Sequence, residues 1–206
     1  MTRKRFAFVG FIILMSIGGV FVWNLTARAA YESAEYTVVE KEGSFEIRDY
    51  PDLMLASTEM DFESQGRDGS FMRLFRYISG GNESNQKVSM TTPVFMDGTE
   101  EAKGQMGFVI PKEVVIAGVP EPASSDVSIR KREGGRFAVI RFSGRLNAKK
   151  AKDAEQKLRK WIEAKGLKGQ TESESAGYDP PFTPGPLRRN EILVRLSDVE
   201  ESAPRR

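Results

Sequence analysis

A pattern of short strands and a helix is written twice in this 206-residue chain, 82–84 residues apart. In the first passage, residues 36–39 and 44–49 read as strands across a Glu42-Gly43 turn, and residues 52–60 (DLMLASTEM) as a third after Tyr50-Pro51. Phe71, Leu74, Phe75 and Ile78 then fall at i, i+3, i+4 and i+7, the spacing of one helical face, and Gly80-Gly81 stops the helix. Residues 87–96 (KVSMTTPVFM) and 107–110 read as strands, the second ended by Pro111.

The second passage begins with a strand at 127–130, a turn at 133–135 and a strand at 137–143 (FAVIRFS). Asn147 is the expected N-cap of a second helix, in which Ala151, Ala154, Leu158, Trp161 and Ile162 share a face, and Gly166 lies beyond its end. Residues 171–179 and the Pro-rich 180–186 read as a long loop, and 191–196 (EILVRL) as the last strand. Ile47-Arg48 corresponds to Ile129-Arg130 at an offset of 82, and Leu74, Tyr77 and Ile78 to Leu158, Trp161 and Ile162 at an offset of 84. Order and spacing, rather than identity, argue for an internal duplication. Two β-β-α-β halves can pack about a pseudo-twofold axis, each helix covering a sheet face. A cleft between them is a natural ligand site.

The N-terminus is of another kind. Residues 1–5 carry three positive charges, residues 6–27 carry none, and 6–23 (FAFVGFIILMSIGGVFVW) are almost wholly apolar. Ala27-Arg28-Ala29-Ala30 fits a small-x-small cleavage site. The segment 1–29 is therefore expected to be either a cleaved signal peptide or an N-terminal hydrophobic helix that anchors the chain in a membrane. Both place the rest outside the cytoplasm, because the basic end stays inside.

Residue usage narrows the chemistry. The chain contains no cysteine and no histidine. Disulfides, thiolate nucleophiles, Cys-ligated metal sites and the most frequent general base and haem ligand are thereby excluded. No Ser–His–Asp or Cys–His set is possible and no Gly-rich phosphate loop is present, so a non-enzymatic binder is expected. Of 31 basic residues, Arg3, Lys4, Arg5 and Arg28 precede Ala30, and no acid does. The remainder holds 27 basic against 29 acidic residues, a net of −2, and offers no basic stripe for nucleic acid.

Three stretches carry a resemblance: residues 36–50 (YTVVEKEGSFEIRDY), 71–94 (FMRLFRYISGGNESNQKVSMTTPV) and 177–196 (GYDPPFTPGPLRRNEILVRL). In this order and at these distances they resemble the SOUL haem-binding family over residues 34–197, leaving 198–206 as a polar tail. The resemblance implies an α+β domain: a distorted antiparallel β-barrel of two repeated halves with two long helices. It also implies binding of a tetrapyrrole, haem or protoporphyrin, in an apolar groove beside the first helix. Some members are thought to hold iron through a histidine, which this chain lacks; others bind the macrocycle by packing and charge contacts.

A porphyrin offers two apolar faces and two carboxylate tails. On the first helix, Phe71, Met72 and Phe75 are the candidates to touch the macrocycle, and Arg73 or Arg76 to pair with a propionate. The alternative is ordinary core beneath a solvated arginine face. Met90 and Met96 flank Thr-Thr-Pro-Val and are either core fillers or thioether ligands to iron, and Tyr77 and Tyr178 are candidate phenolate ligands. Arg188, Arg189, Asn190 and Glu191 are polar for the start of a buried strand. They form either an internal salt bridge that locks the Pro-rich loop or a charged group facing the cleft. The fold also resembles gyrase-inhibitor-like ligand-sensing domains, in which a cleft acid meets cationic ligands. Two rivals to tetrapyrrole binding therefore stand: a binder of another amphipathic or cationic small molecule, and a structural or interaction module whose cleft its own side chains fill.

Overall fold

The runs Phe137-Ala138-Val139-Ile140 and Ile192-Leu193-Val194 are apolar without alternation because both faces of their strands are covered. Ala138, Ile140, Ile192 and Val194 pack under a helix, and Phe137, Val139 and Leu193 point to the opposite face. Such two-sided burial gives continuous rather than alternating hydrophobicity. The computed structural model describes residues 32–61, 68–98, 103–180 and 183–197. The expected N-terminal hydrophobic helix and the tail at 198–206 lie outside the described residues. Among those described, no helix is long and apolar enough to cross a membrane.

In chain order the elements are β1 (Glu32–Ser33), β2 (Thr37–Glu42), β3 (Phe45–Tyr50), β4 (Leu53–Met60), α1 (Ser70–Ile78), β5 (Thr91–Thr92), β6 (Val94–Met96), β7 (Gly104–Val109) and α2 (Lys112–Ala117). They continue with β8 (Ser128–Arg132), β9 (Gly135–Ser143), α3 (Ala148–Ala164), β10 (Gly169–Gly177), a 3-10 turn (Gly185–Leu187) and β11 (Arg189–Leu196). The class is α+β. Nine strands form one antiparallel sheet in the order β2-β3-β9-β11-β10-β6-β7-β4-β8, and β1 pairs with β5 in a small parallel sheet.

Without β2 that order is a palindrome of two β-β-α-β-β halves, one strand longer than expected in each. β3-β4-α1-β6-β7 answers β8-β9-α3-β10-β11, and the first strand of each half lies beside the second strand of the other. The duplication read from the sequence survives in the register. Arg48 faces Phe137 and Arg130 faces Leu55, the same pair displaced by 82 residues. α1 covers one half over a cluster with Leu74, Tyr77, Ile78 and Phe108, and α3 covers the other with Leu158, Trp161 and Ile162.

Four expectations need correction. The sheet does not close into a barrel: its two edge strands, β2 and β8, share no ladder. The links β3–β4 and β8–β9 pack against each other, so close that a Cβ on Gly134 would stand 2.5 Å from the Tyr50 carbonyl oxygen. Side chains tie the strands together beside these links. Arg132 lies over the Tyr50, Phe95 and Phe137 rings, with the guanidinium carbon 5.1, 4.4 and 4.5 Å from their centroids. Its Nε and Nη2 donate to Glu174, and its buried Nη1 has no hydrogen-bond acceptor, the ring faces supplying the negative charge it meets. Second, the loop expected at 171–179 is largely β10, paired on both sides, with β11 and β6. Third, among the described residues only one helix is long: α3 has 17 residues, α1 nine, and the six-residue α2 was not foreseen. Fourth, the inner face between the halves is filled rather than open. Tyr50, Leu55, Phe95, Val109, Phe137 and Leu193 are all buried there.

Candidate functional site

α1 is cut to length by glycines. Gly69 precedes it at φ 85°, Asp68 Oδ1 accepts from the Ser70 amide, and Gly80 at φ 107° turns the chain out of the helix. Leu74, Tyr77 and Ile78 face inward and are buried. Phe71 sits half-buried at the rim, its ring edge-on to Phe108 (5.3 Å) and stacked near-parallel on Phe75 (6.2 Å). Met72 and Phe75 are 54% and 43% exposed. Met90 packs at the margin of the same cluster, with Met96 and Val94 of β6 and Leu146, Ala148 and Ala151 around the start of α3.

The two candidate arginines differ. Arg73 staples α1 to β4: its Nε donates to Thr58 Oγ1 (2.8 Å) and its Nη2 to the Glu59 carbonyl. Arg76 is exposed, and its guanidinium makes no hydrogen bond or ion pair among the described residues. Between Arg76, Tyr77, Gly81 and the 122–127 loop is a cavity of about 20 Å³. That is room for about one water and too little for a macrocycle.

The tyrosines are committed elsewhere. Tyr77 Oη donates to the Pro120 carbonyl (2.8 Å), and burial, helped by Glu121, pushes its pKa up to about 12. Tyr178 Oη donates to Glu191 Oε2 (2.9 Å), and burial raises it well above the ordinary phenol range. Among the described residues no group of three or more carboxylates is placed to hold a metal ion.

The polar run at 188–191 belongs to a buried ionic network on the inner face. Glu191 and Arg48 are both 0% exposed and pair through two bonds of 2.7 and 3.0 Å. Arg189 donates twice more to Glu191 Oε1, Arg48 reaches Glu46 (2.7 Å) and Tyr50 Oη (3.0 Å), and the Tyr36 ring covers Arg48 at 4.3 Å. Two hydrogen bonds tie the Pro-rich loop to the start of β11: the Arg189 amide donates to Asp179 Oδ2 and Arg188 Nε to the Thr183 carbonyl. The acid that would meet a cationic ligand by the gyrase-inhibitor-like analogy already holds a guanidinium of its own chain. The sequence marked Glu191 and Arg189 by their polarity. It gave no sign of Arg48, Glu46 or Tyr36, whose strands join them only in the fold.

Burial alone would raise the Glu191 pKa, but Arg48 and Arg189 hold it down, to about 2 against an ordinary 4.5. The folded value lies below the unfolded one, so the network adds stability above about pH 4.5 that is lost as pH falls toward 2. A shift of that size corresponds to on the order of 3 kcal/mol. Glu46 is lowered too, against its own burial, by Lys41 and Arg48, and adds to the same acid loss. Urea melts across pH should show stability level near neutrality and falling steeply below about pH 4. Glu191→Gln should shrink that step; an unchanged acid limb would show that another group sets it.

A family model described as SOUL heme-binding protein matches residues 31–195. The chain belongs to that family. Among SOUL relatives, Heme-binding protein 1 of Xenopus laevis is 28% identical over 163 residues, covering 74% of this chain and 84% of its own. Heme-binding protein 2 of Homo sapiens is 35% identical over 118 residues, covering 52% and 56%. Two solved structures share the fold at identities too low to say more. The EcmrR C-terminal domain matches at TM-score 0.54 and 11% identity, covering 80% of this chain and 99% of that one. A hydrolase from Listeria innocua matches at 0.53 and 10%, covering 77% and 94%. The SOUL family is a binding family.

Proposed function

We propose that this SOUL domain binds haem or protoporphyrin along the outward face of α1, without a histidine to the iron, for sequestration or transfer outside the cytoplasm. The observation that carries the reading is the Met72 and Phe75 pair, exposed on a helix whose inner face is already full. A surface helix ordinarily shows water a polar face. Here Phe71, Phe75 and Met72 make an apolar plane for a flat ligand, and Arg76 supplies a cation at its edge. Arg73 is occupied by β4, so Arg76 is the better partner for a propionate. Met90 and Met96, the thioether candidates for iron, pack against the same cluster, while Tyr77 and Tyr178 are spent on their own hydrogen bonds. Export or anchoring by residues 1–29 places the site beyond the inner leaflet. The filled inner face and the paired Glu191 speak against a cationic ligand held between the halves.

Titrating the full chain with ferric haem and with metal-free protoporphyrin IX, followed by the Soret band and tryptophan quenching, tests this. Both should saturate at similar affinity, because packing rather than iron ligation holds them. Phe75→Ala should weaken both about tenfold through lost stacking and area. Arg76→Ala should weaken them about fivefold, the worth of an exposed charge-assisted pair. Saturation by haem alone would assign the affinity to an iron ligand. Binding of neither would leave a structural or interaction module.

A further inference from the structure

α2 turns two aliphatic side chains outward: Ile116 is 78% exposed and Val115 38%, while Val114 packs into the cluster beneath α1. Single exposed aliphatics are ordinary. Their location is what matters, because three contacts put α2 beside the place where the chain enters the domain. Glu32 of β1 pairs with Thr91 of β5. Thr91 Oγ1 in turn donates to the carbonyl of Val109, the last residue of β7. α2 begins three residues later behind Pro111, with Lys112 Nζ 3.9 Å from the Glu35 carboxylate. Upstream, five residues carry the chain from Ala27, the last of the uncharged stretch, to Glu32, at most about 18 Å when extended. Along α2, Ile116 stands about 6 Å from Lys112.

We propose that the Val115 and Ile116 edge of α2 rests in the interfacial layer of the membrane, with Lys112 beside it at the level of the lipid phosphates. The proposal rests on reading residues 6–27 as a retained anchor. Interfacial side chains sink about 5–10 Å below the headgroup boundary, within reach of a domain tethered this closely. The tether also gives the contact a high effective concentration, so two aliphatic side chains suffice where a free domain would need a larger apolar face. The contact would orient the ligand site as well. Tyr77, at the end of α1, donates to Pro120 just after α2, which holds the α1 face near the bilayer, where an apolar macrocycle partitions.

The absence of cysteine makes the test clean. Single variants Ile116→Cys, Lys160→Cys on the exposed face of α3, and Met15→Cys in the apolar segment carry an environment-sensitive fluorophore. The full chain is reconstituted in phosphatidylcholine vesicles with a minor share of phosphatidylglycerol and of lipid bearing a nitroxide on the acyl chain. The label at 116 should shift to the blue and lose about half its emission, as expected at interfacial depth, while the label at 160 is unaffected. Quenching at 15 but not at 116 would overturn the docking of α2 and leave the anchor standing. No quenching at either would remove the anchor and the proposal together. A blue shift at 116 without quenching would mean that protein, not lipid, covers the edge, and would also overturn it.

Discussion

Arg48→Met is expected to lower the unfolding free energy by about 3–5 kcal/mol, the cost of leaving buried carboxylates without their cation. Arg48 holds Glu191 through two hydrogen bonds and Glu46 through another, with no exposure of its own. Methionine fills a similar volume under the Tyr36 ring but supplies no charge. Arg189 still reaches Glu191 from the rim, which sets the loss nearer the lower figure. The double variant Arg48→Met with Glu191→Leu should recover much of it, because exchanging both partners of a buried pair for apolar groups is far milder than removing one. Urea melts of the four proteins give the coupling directly. A single-variant loss below about 1 kcal/mol would mean that water enters the site and solvates the acid.

The same pair shows where sequence reading stops. Charged residues at 188–191 were visible as a misfit at the start of an apolar strand, and that misfit is the network's signature. Its central cation is 143 residues away in the chain and sits in FEIRDY, which alternates like any half-exposed strand. Only the crossing of the two halves, which pairs β3 with β9 beside β11, brings Arg48 to Glu191. Periodicity found α1 and α3, since each needs only one apolar stripe, and Asn147 caps α3 as expected. It missed β10, because GQTESESAG carries no apolar alternation; that strand exists through its ladders to β11 and β6. It missed α2, where Val115 and Ile116 face outward and only Val114 packs inward. The barrel expectation failed at the sheet's ends, where β2 lies outside β3 and shares no ladder with β8. At the proposed ligand site the apolar stripe Phe71, Leu74, Phe75 and Ile78 was legible, but its division into buried Leu74 and Ile78 and rim-standing Phe71 and Phe75 depends on how far α1 rolls over β4 and β7.

That division can be tested by symmetry. Leu74 under α1 and Leu158 under α3 are duplicate positions, both fully buried, each in its own helix–sheet cluster. Truncating either to alanine should cost about 2–5 kcal/mol, the usual range for an enclosed leucine. The consequences for binding should differ. α1 is nine residues long, begins at a glycine with no side-chain cap of its own, and is too short to persist without packing; Leu74 is part of what presses it onto β4. Leu74→Ala should therefore loosen Phe75 and Arg76 and weaken protoporphyrin binding about tenfold or more, roughly the loss of the Phe75 stack, in protein that remains folded. Leu158→Ala should match it in urea and leave the titration unchanged, because α3 is 17 residues long, capped by Asn147, and supplies no residue to the ligand face. Equal weakening by both would move the ligand toward the seam where Leu146 and Ala151 approach the α1 cluster. Destabilisation by Leu74→Ala with full affinity would take it off α1 altogether.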